Sequence, residues 1–388
     1  MKLKSLNNIL SLSALGEKFT NLQNCLQEGD TLCQVPGKGE RIHLTSALEK
    51  PIIYITKDSY SALFAYQEFR GFYGDEVCLF QPNDDLLLYR KSFQKSLAGD
   101  RVKALYKFAK GSCKVLVTSP IALLQYVPKK KRVLDYVTVL KTNEDIDIYK
   151  LIDILVNLGY EREEVCEEKN TFAVHGDIVD IFLSYMSMPI RISFFGDTIE
   201  NIKTYDVETL LSTGSMDEVE LYPNNDLLFT QDEMEKAIQL AKKDIQSMQV
   251  DAATRAEQIL SDLALHSTCN QQAQWLIPYL KRSLDTIYDY IPKDGIIVFD
   301  EPESVRNLLV NYDKETKSRV ADLSKVGEVT LRHLNCVLSL DELEEQLVSQ
   351  RKLAFSNLKS SNILIKPKHF VSVDAGKLNN YILHYDVL

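Results

Sequence analysis

Between residues 31 and 118, short apolar runs alternate with longer amphipathic stretches. Thr31–Val35, Pro51–Thr56, Glu76–Phe80 and Lys114–Thr118 are short and rich in β-branched or apolar residues, which predicts strands. Ser59–Gly71 and Gly99–Gly111 carry apolar residues at helical spacing, and residues 1 to about 30 are also helical in pattern. Strands separated by helices predict an α/β unit with a largely parallel sheet. Past residue 132 the period changes. A helix is predicted over Asp145–Gly159, with Ile148, Leu151, Ile152, Leu155 and Leu158 on one face, and several β-type runs follow in quick succession up to Asp206. Tyr222-Pro223 is expected to start a long helical stretch. Gln231–Met248 and Asp251–Leu265 continue it, and Gly295–Asp300 is expected to rejoin the first sheet as a strand. After residue 340 the pattern weakens: Asp341–Gln350 is helical, Leu353–Leu358 is a candidate strand, and Ile363–Leu388 fits no complete unit. The expected organisation is an α/β domain in two parts, 1–132 and 214–340, interrupted by a smaller inserted α+β domain over 133–213. Residues 341–388 are expected to open a following domain or linker, so the chain is expected to stop inside a longer protein.

The most informative strand is Pro189-Ile190-Arg191-Ile192-Ser193-Phe194-Phe195. Side chains alternate faces along a strand, so Ile190, Ile192 and Phe194 point one way and Arg191, Ser193 and Phe195 the other. The first set is core. The second places a phenyl ring beside a guanidinium on a face that should otherwise be polar, and those residue types are enriched at protein-binding hot spots. The alternative is that another element covers this face, which would make Phe195 ordinary core.

Composition narrows the class of partner. The chain has 388 residues, 26% of them charged, and a formal net charge of −10. Non-specific binding to nucleic acid is carried by Lys and Arg neutralising phosphates, so weak or no direct DNA contact is expected, and a protein partner is favoured. The basic run Lys129-Lys130-Lys131-Arg132 is read as a solvated connector rather than a phosphate contact. Trp275 is read as core. Seven scattered cysteines without C-x-x-C spacing suggest neither zinc nor a disulfide framework. The six histidines form no H-x-x-x-H pair, and neither G-x-S-x-G nor G-x-G-x-x-G occurs, so no catalytic residue, metal or cofactor is expected. The apolar run near the N-terminus is broken by Asn7, Asn8 and serines, and no segment is long enough to span a bilayer. A cytoplasmic protein without membrane contact is expected.

Specific motifs add a resemblance. Gly159-Tyr160-Glu161-Arg162, then Phe172-Ala173-Val174-His175-Gly176-Asp177-Ile178-Val179-Asp180-Ile181-Phe182, then Pro189 to Asp206, resemble the inserted domain of the UvrB homology module. Phe80 to Tyr89, Asp100 to Tyr106, Val115 to Leu124 and Ile291 to Val305 are similar to the flanking parts of that module. The module carries a phosphate-binding loop in UvrB, where glycines expose backbone N–H groups, a lysine reaches the terminal phosphates and a hydroxyl residue holds magnesium. Here the corresponding place reads Val35-Pro36-Gly37-Lys38-Gly39-Glu40-Arg41. Lys38 is followed by Gly39 instead of Ser or Thr, and Glu40 brings a negative charge. The loop at Pro36, Gly37, Lys38 and Gly39 is therefore read as degenerate, without nucleotide. Asp300-Glu301-Pro302-Glu303 follows an apolar run, as a magnesium-holding pair would in a motor ATPase, and is read instead as a helix start.

A degenerate loop in this module resembles the N-terminal part of the transcription-repair coupling factor family. The resemblance implies a non-catalytic region that recruits UvrA in nucleotide excision repair. It also implies that a translocase motor, RNA polymerase and DNA are business of the full-length family members, in which a C-terminal domain masks the UvrA surface. The family's UvrA contact, carried over, falls on Arg191, Phe195 and His175. The last stands where the family has arginine, and an imidazole cannot reproduce a permanently charged fork. A UvrB-like DNA-remodelling ATPase with an unrecognised nucleotide site is the alternative.

Overall fold

A computed structural model describes residues 16–83, 86–87, 95–225, 227–265, 271–357 and 364–373. Tyr89, His266, Cys269, His384 and the tail from residue 374 lie outside them. In chain order the strands are β1 (Thr31–Gln34), β2 (Ile52–Ile55), β3 (Val77–Phe80), β4 (Val115–Thr118), β5 (Tyr126–Pro128) and β6 (Thr138–Lys141). Six follow in close succession: β7 (Glu161–Arg162), β8 (Thr171–His175), β9 (Ile178–Ile181), β10 (Ile190–Phe195), β11 (Thr198–Tyr205) and β12 (Ser212–Met216). β13 (Glu218–Leu221), β14 (Leu284–Thr286), β15 (Ile296–Asp300), β16 (Arg351–Ser356) and β17 (His369–Ser372) complete the set.

Seven strands form one parallel sheet in the order β17-β1-β16-β15-β2-β4-β3. β2, β4 and β15 are buried along their whole length, as parallel strands are when helices cover both faces. Ile53, Ile55 and Leu116 point into one core, while Ile52, Tyr54, Val115 and Val117 point into the other. The helix Ser59–Tyr73 covers the second core, started by Asp58, whose carboxylate accepts from the Ser61 N–H at 2.6 Å.

The four strands expected before residue 120 and the one over 295–300 are all present in this sheet. The weak segment after residue 340, expected to open a further unit, instead supplies two strands of it. β16 lies between β1 and β15, and β17 pairs outside β1. Lys352 explains why β16 reads poorly: a buried lysine interrupts the apolar run, and its Nζ is 3.0 Å from Asp30 Oδ2.

The smaller sheet runs β12-β11-β10-β9-β8-β7 and packs one face on the helix Ile148–Asn157 through Leu151 and Leu155. That helix carries the expected apolar face, with Asp147 as its N-cap. β6 and β13 pair antiparallel, so the chain enters and leaves this unit along adjacent strands. The unit sits on the helix Lys95–Lys110. Gly99 allows the approach, since a Cβ there would lie 2.4 Å from Ser184 Oγ, and the rings of Tyr106 and Tyr185 meet Tyr222 edge-on.

Two expectations need correction. The helix after the insertion begins at Gln231, not at Tyr222-Pro223, because a Thr230–Glu233 capping box stops it there and Asn224 N–H instead donates to Leu158 O at 2.8 Å. Lys129–Arg132 is not a free connector: residues 130–136 are helical and Arg132 donates to Glu233 at 2.8 Å and Leu228 O at 2.7 Å. Trp275 is core, as expected. No described helix is long and apolar enough to cross a membrane.

Burial pushes the Glu233 carboxyl up, but hydrogen bonds from Arg132, Ser283 and the Thr230 amide hold it down, at about 2 against an ordinary 4.5. A depressed carboxyl stabilises the fold above its unfolded value and loses that contribution as pH falls through the folded one. Urea unfolding between pH 5 and 2 should therefore show about 1–2 kcal/mol of acid-dependent stability that Glu233→Gln lacks.

Candidate docking surface and the loop after the first strand

The outer face of the six-stranded sheet brings together the three residues singled out in the sequence. Strand pairing aligns Ala173, Asp180, Arg191 and Lys203 in one row, and His175, Ile178 and Ser193 in the next. Opposed residues on neighbouring strands share a face, so His175, Arg191 and Phe195 lie on the same side. Two hairpin turns fix that end of the sheet. Gly176 (φ +61°) and Gly196 (φ +62°) take left-handed conformations that glycine adopts without a Cβ penalty. Phe194 N–H donates to Asp177 O at 2.9 Å, which holds the tip of β10 against the first turn.

Ile190, Ile192 and Phe194 are buried as the alternation requires. Phe195 is 82% exposed, so no described element of this chain covers it. His175 is also exposed. Arg191 differs from the free cation its position suggested. Its Nε donates to Asp180 Oδ1 at 2.8 Å and its Nη2 to Asp180 Oδ2 at 2.7 Å, and the guanidinium lies 4.6 Å from the Tyr205 ring centroid. Asp180 is almost fully buried. The pair therefore holds the guanidinium rigid and neutralised, with Nη1 left to donate outward. Sequence reading missed Asp180. Its signal was a lone acid inside the apolar run Ile178–Ile181. A small second core of Cys166, Ala173 and Phe182 lies on this same face, and Tyr205 O–H donates to Cys166 O at 3.4 Å.

The second region lies where β1 runs through Val35-Pro36-Gly37 into the helix Lys38–Ser46. Glu40 folds back on the loop: a Cβ on Gly37 would fall 1.7 Å from Glu40 Oε2. Lys38 is exposed. The centre of the region is Arg41, 1% exposed, which sequence reading did not single out. Its Nε donates to Val35 O at 2.9 Å, its Nη1 to Asp300, and its Nη2 to Glu301 Oε1 at 2.6 Å and Asn357 Oδ1 at 2.9 Å. One guanidinium thus bridges the loop after β1, the end of β15 and the residue after β16. Burial pushes the Asp300 carboxyl up, against the opposing pull of Arg41. Pro302 opens the helix Pro302–Lys325 as expected, but Glu301, in a left-handed conformation at φ +61°, turns its carboxylate back to Arg41.

Among the described residues, no group of three or more His, Cys, Asp or Glu is placed to hold a metal ion. The two regions differ in what they offer. The sheet face presents an exposed ring and an immobilised guanidinium. The loop presents filled space and a closed ion network.

The sequence model of the UvrB interaction domain matches residues 138–227, from the start of β6 to just beyond β13. The chain is 24% identical over 388 residues to the transcription-repair-coupling factor of Staphylococcus aureus (strain bovine RF122 / ET3-1), covering 95% of this chain and 32% of that protein. The same values hold for the factor from strain MRSA252. The factor of Staphylococcus epidermidis is 23% identical over 355 residues, covering 87% of this chain and 29% of its own. The chain thus spans about a third of the length of these relatives. It is similar along most of its length to transcription-repair-coupling factors, over about a third of their extent, and its residues 138–227 match the UvrB interaction domain.

Proposed function

We propose that this chain is a non-catalytic docking region that recruits UvrA in nucleotide excision repair, at sites where RNA polymerase has stalled. The observation that carries the reading is the exposed Phe195 on the same sheet face as the immobilised Arg191, within the segment that matches the UvrB interaction domain. Phe195 enters an apolar pocket of the partner, and Arg191 Nη1 donates to an acceptor on its rim. Because Asp180 already neutralises Arg191, a backbone or amide oxygen suits that acceptor as well as a carboxylate does. His175 borders the same surface and adds less charge than an arginine would. The docking body corresponds to the inserted α+β domain, 133–213, held on a UvrB-like α/β domain whose phosphate loop is degenerate. Motor activity, RNA polymerase and DNA belong to the larger proteins of the family, and the expected compartment is the cytoplasm. Calorimetric titration of the chain with UvrA tests the reading: binding that Phe195→Ala abolishes supports it, and no binding by the intact chain ends it.

A UvrB-like ATPase is disfavoured by the loop after β1. Glu40 lies against Gly37 and Arg41 is held by Asp300 and Glu301, which supports a loop whose charged groups are already engaged with one another. Millimolar ATP with magnesium is expected to leave the melting temperature unchanged. A rise that a Lys38→Ala variant loses would restore the ATPase reading.

A further inference from the structure

The seam between the two units holds a cavity of about 560 Å³ that the docking function does not use. Lys103 and Lys107, one helical turn apart, line it from the helix Lys95–Lys110, and Lys169 and Tyr185 line it from the smaller unit. Tyr66 and Cys78 are also part of the wall. None of the three lysines forms an ion pair among the described residues. Lys103 Nζ lies 3.9 Å from the Tyr185 ring centroid, Lys107 Nζ is 3.4 Å from Asp75 O, and Lys169 Nζ donates to Ser184 O at 2.7 Å. The remaining lining charges offset them only in part. Arg101 is occupied by Gln81 O, Asp75 pairs with Arg70, and Asp100 lies in the field of Lys103 and Lys169, so among the described residues the lining keeps a surplus of positive charge. Three unpaired ammonium groups around one cavity run against a chain whose net charge is −10.

The lysines feel each other: burial and then Lys107 push Lys103 below its ordinary value, against Asp100 and Cys78. Cys78 is held below its ordinary value by a hydrogen bond with Cys113, against burial, and then by Lys107 and Lys103. Burial instead pushes Cys33, Cys166 and Cys336 up. Lysine is a flexible point charge suited to phosphate oxygens, and the cavity is within the size range of small-molecule sites.

We propose that this cavity binds a phosphate-bearing polyanion, with Lys103, Lys107 and Lys169 as its cationic contacts and Tyr185 as a wall. The phosphates come from a nucleotide-like small molecule or from the end of a nucleic-acid strand, and a ligand in this seam touches both units at once. The test is titration of the whole chain with sodium pyrophosphate and with a 5′-phosphorylated single-stranded oligonucleotide. Sulfate at matched ionic strength is the control, and Lys107→Met/Lys169→Met is the variant. Saturable pyrophosphate binding, weakened about tenfold or more in the variant, is expected. Oligonucleotide binding alone, equally lost in the variant, keeps the site and names nucleic acid as the source. No binding of either probe, equal binding of sulfate, or binding the variant retains would overturn the proposal. Should the double variant melt early, Lys107→Met alone carries the comparison, because that amine has a single long contact to lose.

Discussion

Replacing Arg41 by alanine is expected to lower the folding stability of the chain by about 3–5 kcal/mol, because it breaks a buried ion pair from one side only. The guanidinium is the shared partner of Asp300, Glu301, Asn357 and the Val35 carbonyl, so its loss leaves one buried carboxylate and three further acceptors without it at once. Arg41→Lys keeps the charge but cannot reach four acceptors in different directions, so it should recover only part of the loss. Equilibrium urea unfolding at pH 7 measures both. The pH dependence has a definite sign. Burial already raises the Asp300 carboxyl, and removing Arg41 removes the main opposing pull. A carboxyl raised in the folded state destabilises the fold when ionised, so the deficit of Arg41→Ala relative to wild type should shrink as the pH falls through that raised value. A deficit below 1 kcal/mol, or one that grows in acid, would show that the network is not closed as described.

Phe195→Ala is expected to weaken UvrA binding by about 2–4 kcal/mol, on the order of 30- to 1,000-fold, while leaving the melting temperature close to wild type. The ring is 82% exposed, so the fold loses little when it is cut back. That makes it the cleaner of the two anchors. Arg191→Ala would leave the nearly buried Asp180 without its bidentate partner, so loss of binding would be mixed with loosening of the sheet. A useful contrast follows from the same geometry. Asp180→Asn keeps a hydrogen bond to the guanidinium but frees its charge. If the partner supplies a carboxylate, that variant should bind more tightly at low salt; if it supplies a neutral oxygen, it should bind no better. Calorimetry of the Phe195→Ala chain showing affinity within twofold of wild type would remove this face from the docking surface.

The outer sheet face was legible because a strand's period of two assigns each side chain a side, whatever the strand pairs with. Ile190, Ile192 and Phe194 had to share the core, and this put Arg191 and Phe195 opposite them before any partner strand was known. The helix Ile148–Asn157 was legible for the same reason at a period of 3.6.

The sequence by itself therefore determined which faces are buried, where most strands and helices lie, and which residues the open sheet face presents. It did not determine how the charges are settled. Arg41 meets Asp300 across 259 positions and Asn357 across 316, because the order of the parallel sheet sets β16 between β1 and β15. Asp180 meets Arg191 only through the pairing of β9 with β10. Lys169 joins Lys103 and Lys107 only where the smaller unit closes on their helix, at Gly99. Periodicity is a local record of burial, whereas charge neutralisation acts between side chains a few ångströms apart in space, and only the tertiary structure decides which those are.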